Sequence, residues 1–215
     1  MKIFLDSADV DEIKRANETG LLDGITTNPS KVAKTGKRFP DLVEEICKIV
    51  DGPVSAEAVA YETDEIVKKA EEISSIAPNV VVKVPMTHEG LKAALILEKE
   101  KGIRVNVTMV FSSAQACLAM KTGATFVSLV LSRLDKLDGG SELLVQDAVR
   151  IKHNFGFSSE ILSASVKTKN HLGVCLRAGS DIVTIPESLF FEMFTHPLTD
   201  FGLAEFDEAW KHVKQ

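Results

Sequence analysis

Short runs of β-branched and aliphatic residues alternate with stretches whose apolar positions recur at helical spacing, and the alternation repeats eight times. The apolar runs fall near residues 2–6, 23–27, 53–58, 80–85, 103–108, 125–130, 159–165 and 181–185. Between them the pattern predicts helices near 9–18, 30–50 (broken around Gly36–Pro40), 63–76, 87–101, 112–121, 141–154, 168–177 and 187–194. Ser7 or Asp9 can cap the first helix, Thr63 the third, and Thr87 with Gly90 opens the fourth. Gly20, Gly102, Gly123, Gly156 and Gly179 each stand where a helix must stop before the next strand. No linker, low-complexity tract or shift of composition divides the chain. Eight βα units in residues 1–215 therefore predict one α/β domain, a closed parallel (β/α)8 TIM barrel. A doubly wound open sheet is the alternative, but it usually carries a glycine-rich first turn, and here that turn reads Asp6-Ser7-Ala8-Asp9. Residues 200–215 add an amphipathic helix with Phe201, Leu203, Phe206 and Trp210, which needs the barrel or a neighbouring subunit to pack on.

One polar residue breaks the apolar pattern sharply. Lys83 lies within Val80-Val81-Val82-Lys83-Val84-Pro85, a run that reads as a strand covered on both faces. Burial disfavours the ammonium ion and favours the neutral amine, and a neutral amine attacks carbonyl carbon to give a Schiff base. An edge-strand lysine with its head in solvent would read the same way on this strand alone. The other strands bear on the choice.

Residues two apart on a strand share a face, and barrels of this type carry their chemistry at the carboxyl ends of the strands. There the chain supplies Asp6, Thr26 and Asn28, Ser55 and Glu57, Lys83, Asn106 and Thr108, Ser128 with Arg133 beyond it, Ser163 and Ser165 followed by Lys167, and Thr184. Each has an ordinary explanation alone. Asp6 would cap a helix, Thr26-Thr27-Asn28-Pro29 would mark a turn, and Arg133 with Asp135, Lys136 and Asp138 would be a charged loop, as would Lys167 and Lys169. A barrel interior without function would be layers of Val, Ile and Leu. An amine, two carboxylates, two amides and several hydroxyls at one mouth form a site.

Composition narrows what that site handles. A net charge of -6 and a pI near 5.4 argue against a nucleic-acid or acidic-membrane binder, while leaving room for a local pair of cations to hold a phosphate. Cys47, Cys117 and Cys175 read as reduced core residues of a cytosolic protein. The first residues enter a strand directly without a signal-peptide pattern, and no apolar run is long enough to span a membrane. His88, His153, His171, His196 and His212 lack metal-ligand spacing, and neither a Gly-x-Ser-x-Gly elbow nor a P-loop is present.

From Met1 to Trp210 the chain resembles the small transaldolase family, which includes the fructose-6-phosphate aldolases. The resemblance is carried by Phe4-Leu5-Asp6, Gly24-Ile25-Thr26-Thr27-Asn28-Pro29, Val82-Lys83-Val84-Pro85, Asn106-Val107-Thr108, Arg133-Leu134-Asp135 and Ala164-Ser165-Val166-Lys167. It implies a Schiff-base lysine at Lys83, with Asp6, Glu57 and Thr108 as the other catalytic residues. Asn28, Thr26, Asn106, Ser128, Arg133, Ser165 and Lys167 would bind the sugar phosphate. It implies no cofactor, no metal, no nucleic-acid partner, and a ring-like homo-oligomer, commonly a pentamer or decamer. Two positions depart from the family pattern. Ser128 is followed by Leu129-Val130, where the family usually has proline and an aromatic residue, and Lys167 stands where transaldolases generally place arginine. Glu57 matches transaldolases, whereas the aldolases carry glutamine there. Transaldolase is thus the expected activity, fructose-6-phosphate cleavage to free dihydroxyacetone the alternative, and a catalytically weak sugar-phosphate-binding barrel the third.

Overall fold

Each of the eight apolar runs forms a strand in the computed structural model, which describes residues 1–137 and 139–213. The strands are β1 (Lys2–Asp6), β2 (Gly24–Thr26), β3 (Val54–Glu57), β4 (Val80–Pro85), β5 (Val105–Val110), β6 (Phe126–Val130), β7 (Glu160–Ala164) and β8 (Ile182–Ile185). They pair in parallel in chain order, and β8 returns to β1, so the sheet closes into a barrel without free edges. The surrounding helices are α1 (Val10–Asn17), α2 (Pro29–Thr35), α3 (Phe39–Ile49), α4 (Thr63–Ser74), α5 (His88–Lys99), α6 (Ser113–Lys121), α7 (Leu131–Asp135), α8 (Ser141–Phe155), α9 (Lys169–Ala178), α10 (Glu187–Glu192) and α11 (Pro197–Trp210). The break foreseen in the second helical stretch separates α2 from α3, with Gly36 left-handed at φ 67°. Asp138, which the sequence placed in a charged loop, and Lys214 and Gln215 of the tail lie outside the described residues.

The caps show which side chains start the helices. Asp9 caps α1, accepting from the N–H groups of Asp11 and Glu12 at 2.9 and 3.1 Å, while the Ser7 hydroxyl accepts from Asp9 N–H. Thr87 caps α5 by accepting from Gly90 N–H at 3.0 Å. Thr63 is not a cap. Glu62 takes the cap position, and the Thr63 hydroxyl instead donates to the Glu89 carboxylate, tying α4 to α5. That bond, with a second from His88, holds the Glu89 carboxyl down to about 2.

Inside the barrel, the lower residues of the strands form a plug of Phe4, Val81, Phe126, Leu162 and Ile182, each at most 1% exposed. Phe4 and Phe126 meet edge to face at 5.8 Å. Gly24 is required beside them, because a Cβ there would come within 2.8 Å of the Phe4 ring and 2.7 Å of the Pro53 carbonyl oxygen. Outside the sheet a continuous aliphatic layer, including Ile25, Val82, Val107, Leu129 and Ile161, packs under the helices. The strands' amino ends are tied by side chains that satisfy backbone donors and acceptors. Asp23 accepts from Ile3 N–H at 2.7 Å, Asn79 donates to the Val50 carbonyl at 2.8 Å, and Asp181 accepts from Ile161 N–H at 2.7 Å. One oxygen of Glu98 accepts from Val105 N–H, Thr125 N–H and the Thr125 hydroxyl at 2.7, 2.6 and 2.8 Å.

α11 begins at Pro197, earlier than the sequence pattern suggested, because the His196 ring accepts from Leu198 N–H and proline fits the first helical position. No residue of α11 is buried, and Leu198, Phe201, Phe206 and Trp210 are all more than half exposed. Of the two surfaces the pattern allowed, the barrel does not cover this helix. No helix among the described residues is long and apolar enough to cross a membrane.

Glu98→Ala should cost about 3 kcal/mol, since it strands two backbone donors between β5 and β6. Urea denaturation of the variant beside the parent measures it.

Candidate active site

Strand register assembles the site. In the parallel ladder Glu57 pairs with Lys83 and Lys83 with Asn106, while Asp6 pairs with Thr26 and Thr26 with Ser55. These two rows point into the barrel one layer above the plug. Lys83 is 8% exposed, with Nζ donating to the Thr27 carbonyl at 3.0 Å and standing 3.3 Å from Glu57 Oε2. The run around Lys83 suggested an amine among aliphatic side chains alone. That holds along β4, but the register brings a carboxylate from β3 alongside, and the two form an ion pair.

Above the pair opens a cavity of about 620 Å³. Ten of the eleven residues read from the sequence line it: Lys83, Asp6, Glu57, Thr108, Asn28, Thr26, Ser128, Arg133, Ser165 and Lys167. Asn106 lies beneath, fully buried, donating to Ser55 Oγ at 3.2 Å and accepting from the Ser128 hydroxyl at 2.7 Å. Thr26 and Thr184 join their hydroxyls at 2.7 Å across β2 and β8. Asn28 marks the turn into α2 and lines the cavity. Its side-chain oxygen caps α2 by accepting from Lys31 N–H at 3.0 Å, with Pro29 at the first helical position, and it still faces the cavity.

Other placements correct the period-two reading. Asp6 does not cap α1; its carboxylate pairs with Lys31 Nζ at 3.3 Å, and the same ammonium donates to the Asp6 carbonyl. Ser163 faces away from the cavity, its hydroxyl 2.9 Å from that of Ser180. Ala164 faces the cavity instead, and Ser165 reaches it because the chain turns left-handed there, at φ 59°. Met109, the other non-glycine residue described with positive φ, at 66°, also lines the cavity where the β5–β6 register shifts. Arg133 sits on α7, a short helix the sequence did not suggest, and Val130 forms part of the wall below it. Lys169, the other lysine of that segment, pairs with Glu192 at 3.2 Å. The sequence reading missed Lys31, Lys34, Ser132 and Lys136, all at the rim. Lys31 and Lys34 lie three apart on α2 and just past an Asn-Pro turn, the one local signal that could have placed them there.

The cavity thus holds an amine beside a carboxylate at its floor, a second carboxylate at its side, and cations around its rim. Such a floor can move a proton between amine and acid, and such a rim suits an anionic substrate. Burial raises the Cys47 thiol to about 11 and raises Cys175 as well, so neither is an activated nucleophile. No group of three His, Cys, Asp or Glu side chains among the described residues could hold a metal ion.

The family described as transaldolase/fructose-6-phosphate aldolase matches residues 3–215. The chain belongs to that family. A "probable transaldolase" of Clostridium tetani is 47% identical over the whole of both chains. The "probable transaldolase 2" of Listeria monocytogenes is 47% identical over 100% of this chain and 98% of its own. A "probable transaldolase" of Thermodesulfovibrio yellowstonii is 48% identical over the whole of both. The barrel also superposes on a protein assigned to the dihydrodipicolinate synthase family from Coccidioides immitis, with a TM-score of 0.62 and 14% identity. That match covers 85% of this chain and 65% of that one, and the likeness is one of fold. Membership of the transaldolase/fructose-6-phosphate aldolase family supports an enzyme of transaldolase type, a transferase built on a TIM barrel.

Asn106→Ala would leave the Ser55 and Ser128 hydroxyls without their partner inside the barrel. The expected loss is about 2 kcal/mol, or a fall of about 4–8 °C in melting temperature, read by calorimetry.

Proposed function

We propose that the protein is a transaldolase working through a Schiff base on Lys83, without cofactor or metal. It would transfer a dihydroxyacetone unit from sedoheptulose 7-phosphate or fructose 6-phosphate to glyceraldehyde 3-phosphate or erythrose 4-phosphate, in the non-oxidative pentose phosphate pathway. The observation that carries this reading is the Lys83 amine, 8% exposed and 3.3 Å from Glu57, at the floor of a cavity rimmed by cations.

Lys83 passes a proton to Glu57 and attacks the C2 carbonyl of the ketose phosphate. Glu57, with Thr108 and a water, returns a proton to the carbinolamine hydroxyl, which leaves as water. The iminium then accepts electrons as Asp6 takes the C4 hydroxyl proton and the C3–C4 bond breaks. The aldose phosphate departs and a dihydroxyacetone enamine stays on Lys83. Thr26, Asn28 and Asn106 hold its hydroxyls directly or through the buried network, and Ser128 faces the C1 end. Arg133, Ser165 and Lys167 grip the phosphate. A second aldose phosphate adds to the enamine, and the steps run in reverse.

Glu57 beside the amine favours the transferase. The family alternative is a second reading, and Val130, small where both branches carry an aromatic ring, bears on the rate of either activity. On that reading the enzyme is a fructose-6-phosphate aldolase releasing free dihydroxyacetone. The three free cysteines suit the cytoplasm. The uncovered apolar side chains of α11 support a homo-oligomer, a pentamer or decamer by family resemblance, in which that helix reaches a neighbouring subunit.

The test is consumption of fructose 6-phosphate with and without erythrose 4-phosphate, beside Lys83→Ala. The expected result is turnover that requires the acceptor and falls at least about 10³-fold in the variant. Borohydride should fix a reduced three-carbon unit on the peptide containing Lys83. Acceptor-independent dihydroxyacetone would assign the aldolase. Absence of both turnover and adduct would leave a sugar-phosphate-binding barrel. Light scattering should give a multiple of the chain's 23.4 kDa, and a monomeric mass would refute the assembly.

A further inference from the structure

The two cations proposed to hold phosphate come from different segments. Arg133 lies on α7, after β6, and Lys167 lies between β7 and α9. Both heads are exposed, and among the described residues neither has a carboxylate within ion-pair distance. What fixes the space between them is therefore the way their backbones are joined.

Two contacts join them. The Ser132 and Ser165 hydroxyls meet, each next to or within the grip itself. Behind them, Asp135 at the end of α7 places Oδ2 3.0 Å from Nε2 of His171, in the first turn of α9. The other Asp135 oxygen accepts from Ser141 N–H at 3.1 Å, which anchors the same carboxylate to the start of α8. Among the described residues, His171 Nδ1 is buried and has no hydrogen-bond partner. With Nδ1 unpartnered, the ring meets a charged neighbour through Nε2, 3.0 Å from Asp135 Oδ2. Among the described residues this is the imidazole's one polar contact, and it spans the two segments.

We propose that His171 and Asp135 are a pair of positioning residues that latch α7 to α9 and set the separation of Arg133 and Lys167, and with it the affinity for the phosphate end of the substrate. The proposal rests on the reading of those cations as a phosphate grip. Neither residue touches the reacting carbons. Their loss should act on binding of phosphorylated ligands and leave the chemistry at Lys83 alone.

The experiment compares the parent with His171→Phe, which keeps the ring's bulk and loses the donor, and His171→Gln, which keeps an N–H to offer. KM and kcat are measured with fructose 6-phosphate and with unphosphorylated fructose, each with erythrose 4-phosphate held saturating, and binding of inorganic phosphate is measured by calorimetry. In His171→Phe, KM for fructose 6-phosphate and Kd for inorganic phosphate should rise about tenfold, with kcat within about twofold. kcat/KM for fructose should stay within about twofold, and His171→Gln should recover most of the loss. Should His171→Phe fail to fold, Asp135→Asn is read in the same assays. Its oxygen can still accept from Ser141 N–H, but the charge beside His171 Nε2 is gone, so phosphate binding should again weaken. Unchanged phosphate affinity in the variants, an equal loss for fructose and fructose 6-phosphate, or no phosphate binding by the parent would each overturn the latch. A parent that binds phosphate but turns over no sugar phosphate, with weaker binding in His171→Phe, would leave the latch standing and overturn the transaldolase reading.

Discussion

An ammonium and a carboxylate 3.3 Å apart inside a barrel of aliphatic strands set the terms for the structure around them. Removing two ions from water costs several kcal/mol for each, and their attraction offsets this only where neighbouring dipoles complete the shell. Here the Thr27 carbonyl accepts from the ammonium, and the pair opens on its other side to the cavity. The same geometry closes the barrel below. With position 83 facing inward, Val81 faces inward one layer down, where it packs with Phe4, Phe126, Leu162 and Ile182. The plug and the ion pair are thus consequences of one register, and the amine faces the cavity above the plug.

The two ends of the barrel divide the work. At the amino ends, Asp23, Asn79, Glu98 and Asp181 bind backbone groups that the staggered strands leave without ladder partners. These bonds hold the register on which the rows above depend. At the carboxyl ends the backbone departs from regular geometry. The two non-glycine residues with positive φ among the described residues, Met109 and Ser165, both line the cavity. Each left-handed residue costs about 1–2 kcal/mol, and the fixed strands on either side allow it to persist. The strain has a geometric effect, because it turns Ser165 toward the cavity against the alternation of its own strand.

That pattern explains how far the sequence could be read. Apolar runs and helical spacing placed all eight strands and the order of the barrel, since each depends on neighbours in the chain. The same alternation, with the residues just beyond the strands, gathered fourteen positions at one mouth, and eleven of them line the cavity. It failed at Ser163 because that residue was given the face of Ser165, and the left-handed turn at Ser165, just past the end of β7, breaks the alternation between them. Asp6 and Lys31, like Asp135 and His171, meet across 25 and 36 residues of chain, and no local period encodes such pairs. α7 was hidden because a helix of one turn has too few positions to show a period. α11 shows the opposite limit. Its amphipathic pattern was legible, but what covers it cannot be read from a barrel that leaves it bare.

Charge distribution links the fold to the class of ligand. The chain carries a net charge of -6, yet the cavity is lined by Lys31, Lys34, Lys83, Arg133, Lys136 and Lys167 against only Asp6 and Glu57. The excess carboxylates therefore lie on the outer surface, which repels extended polyanions. A concave mouth with low-dielectric walls concentrates the field of its cations. A small phosphorylated molecule can enter that field without lying along the acidic exterior, as a nucleic acid would have to do. The acidic carboxylates that remain inside are also the ones already neutralised: Glu57 by Lys83 and Asp6 by Lys31. Among the described residues Arg133 and Lys167 have no carboxylate partner, which is what the proposed phosphate grip, remote from the amine, requires.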